Sequence, residues 1–169
     1  MSYLLRQYCS EAIIMLLPFI FSFCNHPGQK ERNTLNFTTW ENPCFDRCAS
    51  VWLIKNYIDS TATFKYIEFG KKVSEGIPFD VPGAELGRQK NISCFESILL
   101  KYNLNDAAIT EMAKVIHDID VNKWGVKVTA DADSLELVFN ALRKQIESDP
   151  ELTDRSAEIF WNMYKKYGQ

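Results

Sequence analysis

Residues 79–96 read Phe-Asp-Val-Pro-Gly-Ala-Glu-Leu-Gly-Arg-Gln-Lys-Asn-Ile-Ser-Cys-Phe-Glu. Before this stretch the chain reads as extended and turn-rich, and after it almost wholly helical. Val81-Pro82-Gly83 turns the backbone sharply, because proline fixes φ and glycine tolerates φ above zero. Ser93 then has the position of an N-cap, with Glu96 three residues on as its capping-box partner ahead of Ile98, Leu99 and Leu100. The stretch therefore reads as a strand-to-helix crossing that brings Asp80, Glu85, Arg88 and Cys94 into one loop.

Working upstream, Asn42-Pro43 marks a helix entry. Phe45, Cys48, Ala49, Trp52 and Asn56 share one face of a helix to about Ile58, and Arg47, Val51 and Lys55 recur on another side as a solvated ridge. Thr63 to Phe69 is β-branched and aromatic and reads as a strand, with Ile77 to Val81 as its antiparallel partner. Downstream, Ser93 to Tyr102 is a helix. A second, capped by Asn105, runs to about Asn122 with Ile109, Met112, Val115, Ile116 and Ile119 as its apolar stripe. Leu135, Val138, Phe139, Leu142 and Ile146 make another stripe. Asp149-Pro150 separates it from a last helix capped by Thr153, with Ala157, Phe160, Trp161 and Tyr164 on one side. The expected fold is α+β and predominantly helical: about five helices with one small antiparallel sheet of two or three strands.

The 169 residues, 46% of them apolar with seven glycines and six prolines, suffice for one domain with a real core. A net charge of −3 with no basic footprint argues against nucleic acid as a partner of this polypeptide alone. Ala12 to Cys24 is an apolar run too short to span a bilayer, which needs roughly 20 residues, and it suits a signal-peptide core with a cut ahead of Asn25. The organisation expected is a leader and polar linker over 1–36 and a domain over 37–169, with no transmembrane span in the mature protein. Export, periplasmic or secreted, is the expected localisation; the alternative is a cytoplasmic protein with a buried N-terminal helix. Cys44 and Cys48, four apart and without a nearby histidine, read as small buried apolar residues.

Asp46-Arg47, Trp52-Leu53-Ile54-Lys55, Tyr57-Ile58-Asp59, Phe79 to Leu86, Phe95-Glu96, and His117 with Asp120 together resemble the chromate-resistance protein family of the ChrB type. The resemblance is to its C-terminal domain and covers about Thr39 to Tyr167. It implies a mostly helical domain associated with chromate resistance, in sensor-like cytosolic members and in exported ones, without an established enzyme activity. Where the family pattern has a histidine this chain has Arg88, and where it has cysteines this chain has Ser93 and Ser50.

Three functional readings follow. Arg88 and the helix start at Ser93, with Arg47 or Lys55 nearby, suit a tetrahedral dianion such as chromate, because guanidinium forks and free helix-terminal N–H groups recognise oxyanions. The rival for Arg88 is a surface ion pair with Glu85 or Asp80. Asp80, Glu96, His117 and Asp120 offer one nitrogen and three carboxylates, a set for iron or manganese in a metal-dependent enzyme. A non-catalytic interaction domain is the third. No nucleophile elbow or phosphate loop is present, and no catalytic residue stands out. Asp120, at the edge of the Ile109–Ile116 stripe, requires a cation, a metal or a helix terminus beside it.

Overall fold

The computed structural model describes residues 34–169, so the expected leader over 1–36 lies almost wholly outside the described residues. The elements are β1 (Asn36–Trp40), α1 (Phe45–Tyr57), β2 (Thr63–Ile67), β3 (Ile77–Pro78), α2 (Cys94–Tyr102), α3 (Ala107–Asp120), α4 (Ala132–Arg143) and α5 (Asp149–Tyr167). Five helices and one small sheet make the class α+β and helical.

The sheet is parallel, not antiparallel as expected. Its order is β2-β1-β3, with Phe37 opposite both Phe64 and Ile77. The two stretches read as hairpin partners do not touch each other as strands; each pairs with β1, a strand at the start of the domain that was not expected from the sequence. The cause is topological. A parallel pair cannot be closed by a tight turn and needs a crossover, and here α1 carries the chain from β1 back to β2. The chain then passes through residues 68–76 to the far side of β1. At Gly76, φ is +75°, and a Cβ there would stand 2.8 Å from Thr38 Oγ1 and 2.9 Å from Asn36 O, so only glycine lets the backbone cross this close.

α1 is the axis of the fold. Every residue from Phe45 to Ile54 is buried, which also corrects the expected solvated ridge: Arg47 and Val51 are interior. Around it stand the sheet, α2, α3 and α5. Phe37 stacks on Phe64 and meets Phe79 edge-on beside the sheet, while Phe45 near the start of α1 packs against Phe139 and Phe160, and Trp52 farther along it packs against Trp161 and Tyr164. Each fully buried Leu or Ile here, such as Leu53, Ile54 or Ile109, contributes about 1.5–3 kcal/mol.

Local signals placed most helix starts within a few residues. Ser93 and Glu96 form the expected capping box, each accepting the other's backbone N–H. α3 is capped by Asp106, whose carboxylate accepts the Ile109 N–H at 2.9 Å, rather than by Asn105. α5 begins at Asp149 with Ser148 as its cap; Pro150 sits in the first turn, where its missing N–H costs nothing, and Thr153 lies inside the helix. On α4 the buried face takes Ala132 and Phe139, with Leu135 and Leu142 against the core, and leaves Val138 54% exposed. Among the described residues no helix is long and apolar enough to cross a membrane.

Candidate functional site

The 79–96 loop lies over the start of α1 and the end of α3. A bridge between Phe79 and Leu86, with Asp80 N–H donating to Leu86 O at 2.7 Å, closes its first half; a second bridge between Gln89 and Ile92 closes the other. Asp80 itself has φ of +47°, a left-handed conformation that aspartate tolerates better than most residues.

Two adjacent charges on α1 organise the interior. Asp46 is buried, and its carboxylate accepts the N–H of Cys94 at 2.7 Å and of Phe95 at 2.9 Å. With the capping box, every N–H from Ser93 to Glu96 is thereby satisfied within the chain. Arg47 is equally committed. Its Nε donates to Asp80 Oδ2 at 2.8 Å, Nη1 to the carbonyls of Trp40 and Glu41, and Nη2 to the Asp80 carbonyl. This guanidinium ties the end of β1 and the loop after β3 to α1, a structural use of all its faces.

Arg88 differs. Its side chain is 49% exposed, its Nε stands 3.4 Å from Asp120 Oδ2, and among the described residues it donates no hydrogen bond. Asp120 Oδ2 is buried and likewise has no hydrogen-bond partner. Its partner is thus a cation, Arg88, and neither Glu85 nor Asp80 holds that arginine: Glu85 binds Lys101 and Asp80 binds Arg47. Burial raises the Asp120 pKa above the usual carboxylate range, against the opposing fields of Arg88, Lys123, Arg47 and His117. Burial also raises Asp80, opposed by Arg47, and raises Asp46 with further upward pushes from Asp80 and Asp120. Beside Asp120 opens a cleft of about 80 Å³ whose walls include Cys44, Asp46, Lys123 and Arg143.

The remaining expected residues fall into two places. Glu96 Oε2 accepts the Ser93 N–H at 2.7 Å and stands 2.9 Å from His117 Nδ1, so helix cap and histidine share one oxygen. Lys55 lies elsewhere, bound to Asp154 at 2.9 Å and over the Phe64 ring, on the side of α1 that meets α5 and β2. Among the described residues no three of the His, Cys, Asp and Glu side chains are gathered as a metal-holding group, and Asp80, Glu96, His117 and Asp120 are divided among Arg47, Ser93 and Arg88. The thiols are ill-suited to nucleophilic work: burial pushes Cys48 up to about 12 and raises Cys44 and Cys94 as well.

Sequence reasoning missed Asp46 and Lys123. For Asp46 a signal was present, since an Asp-Arg pair inside ten otherwise mostly apolar helical residues needs internal partners. For Lys123 there was none, because its relevance comes only from where α3 ends.

The model of the ChrB C-terminal domain matches residues 37–167. Protein ChrB of Cupriavidus metallidurans is 28% identical over 124 residues, covering 72% of this chain and 37% of that protein, so the chain spans little more than a third of the relative's length. No solved structure matches. With the match running from the second residue of β1 to the last of α5, the chain belongs to the family of the ChrB C-terminal domain.

Proposed function

We propose that the domain serves chromate resistance as a recognition module that binds a chromate-like tetrahedral dianion at Arg88, in exchange for the Asp120 carboxylate. The family supplies the association with chromate. The observation that carries the site is the loose Arg88–Asp120 pair, in which both partners have unused hydrogen-bonding capacity and the guanidinium reaches solvent. Arg47 and Lys55 do not share this character, and the α2 amides are filled by Asp46, so the anion site is narrower than the sequence reading expected.

The chemistry is anion exchange on a guanidinium. An incoming dianion offers more negative charge and a tetrahedral set of acceptors to the Arg88 fork, with Lys123 and Arg143 along the neighbouring cleft. Asp120, already pushed toward its neutral form by burial, takes up a proton as it is displaced. This reading assigns no bond-making step to the protein.

The test is thermal denaturation with and without sulfate at constant ionic strength. Sulfate has the shape and charge of chromate without oxidising thiols, so it separates recognition from reaction. A ligand of the folded state stabilises by about 2.7 kcal/mol at a hundred times its dissociation constant, and Arg88→Ala removes most of that shift. Equal melting temperatures with and without sulfate leave the interaction-domain reading in its place.

A further inference from the structure

Side chains alternate along a strand, so β1 divides its residues between two faces of the sheet. Phe37 and, opposite it on β2, Phe64 belong to the core side. Asn36 and Thr38 lie on the other face, in register with Thr63 and Lys65. The 68–76 loop is tied over this face at both ends of β1. Trp40 Nε1 donates to Lys71 O at 2.7 Å and its ring meets that of Phe69, while Gly76 closes on Asn36 and Thr38. At the Gly76 end a cavity of about 340 Å³ remains, whose walls include Asn36, Thr38, Thr63, Lys65, Glu75 and Gly76. Small-molecule sites span about 300–1,000 Å³. The polar groups in these walls have capacity to spare. Thr38 is 3% exposed, yet its hydroxyl has no hydrogen-bond partner among the described residues. A hydroxyl enclosed this far costs free energy unless something bound there satisfies it. Asn36 Oδ1 accepts the Thr63 hydroxyl, which leaves the Asn36 amide N–H groups to donate elsewhere. Toward solvent, Lys65 Nζ stands 3.1 Å from Glu75 Oε2, with side chains 60% and 76% exposed. An ion pair this exposed is held weakly and exchanges partners readily.

We propose that this cavity binds a small zwitterion, an α-amino acid of about the size of serine, with its carboxylate on Lys65 and its ammonium on Glu75. The class of ligand follows from the charges that line the site. A simple anion drawn to Lys65 meets the Glu75 carboxylate, and a simple cation drawn to Glu75 meets the Lys65 ammonium, a like charge in each case. A molecule that carries both charges inserts into the pair and leaves neither side chain without a partner. The Thr38 hydroxyl and the Asn36 amide then supply the few neutral hydrogen bonds that fix its orientation. The site shares no residue with the Arg88 reading and is independent of it.

Nuclear magnetic resonance titration of the isotope-labelled full chain with L-serine tests it, with acetate and ethylamine as probes that carry one charge each. Serine shifts the amide signals of Thr38, Lys65 and Gly76 saturably, and either single-charge probe binds about tenfold more weakly. Thr38→Val keeps the β-branched shape that suits a strand and removes the hydroxyl; it raises the serine dissociation constant about tenfold. Lys65→Met, at an exposed side chain, does the same without touching the enclosed Thr38, and circular dichroism confirms the fold of both variants. Arg88→Ala leaves serine binding unchanged. The absence of saturable shifts at these amides overturns the proposal, as does serine binding indifferent to Thr38→Val or to Lys65→Met. Acetate or ethylamine binding as tightly as serine also overturns it, and assigns the cavity to an ion of one charge.

Discussion

Asp46 caps a helix 48 residues downstream: its Oδ2 accepts the Cys94 N–H at 2.7 Å, and its Oδ1 takes the next N–H, that of Phe95. The positive end of α2, an anion site by its nature, is thus filled from within the chain. Asp46→Ala leaves two buried N–H groups without acceptors and is expected to cost about 2–4 kcal/mol, at about 1–3 kcal/mol for each unsatisfied buried group. Asp46→Asn keeps one acceptor and costs less. Urea denaturation of the three proteins gives the order, and a loss below about 0.5 kcal/mol for the alanine variant contradicts the capping role.

The Arg47–Asp80 pair is the second expectation. Both side chains are nearly buried, and Asp80→Ala strands a guanidinium 9% exposed, for an expected loss of about 3–5 kcal/mol. Asp120→Ala differs, because the Arg88 it leaves is half exposed and reaches water. Its effect stays near the roughly 0–1 kcal/mol of a solvent-accessible pair. Parallel denaturation curves check the contrast; equal losses at the two aspartates contradict it.

The pH dependence has a definite sign. Asp46, Asp80 and Asp120 have folded-state pKa values above the ordinary value, so between that value and the raised ones the folded state holds more protons than the unfolded state. Their contribution to stability therefore falls as pH rises from about 4 through the raised pKa values. Melting temperatures taken upward from about pH 4.5 should decline as these carboxyls ionise, and Asp120→Asn should flatten part of the slope. A stability that rises throughout contradicts the raised values.

Asp118 behaves oppositely. Burial pushes its carboxyl up, but the Thr129 hydroxyl, the Asn122 amide and the Thr129 and Val128 N–H groups outweigh it and hold the pKa at about 2. Its stabilisation is complete above the ordinary value and is lost as pH falls from about 4 toward 2. Asp118→Ala frees both ends of the Trp124 loop and is expected to cost about 2–4 kcal/mol, since hydrogen bonds to a charged group exceed neutral ones. Hydrogen exchange at Val128 and Thr129 reports it directly: protection there should vanish in the variant while that of α1 persists.

How much of this was legible in the sequence depends on the range of the interaction. The Ser93–Glu96 capping box spans three residues, and the Ile109–Ile119 stripe repeats at helical period, so both could be read locally. β1 could not. Asn36–Trp40 is five residues beside a polar tail, and its place in the centre of the sheet depends on partners at Thr63 and Ile77. Taken without β1, the two remaining extended stretches look like a hairpin. The residues of the loop were recognised, but their pairing was not, because Arg47 reaches Asp80 across 33 positions and Asp46 reaches Cys94 across 48. Arg88 stood out because the resemblance sets it where a histidine is expected; that Asp120 faces it is a fact of how α3 packs.

Exchange of Asp120 for an oxyanion at Arg88 is the step on which the proposed recognition depends. Calorimetric titration with sulfate near neutral pH, repeated in buffers of different ionisation enthalpy, measures binding and the accompanying protons together. Saturable binding with net proton uptake is expected, strengthened at lower pH, with uptake lost in Asp120→Asn and binding lost in Arg88→Ala. Binding that survives Arg88→Ala unchanged, or no binding by the wild type, contradicts it.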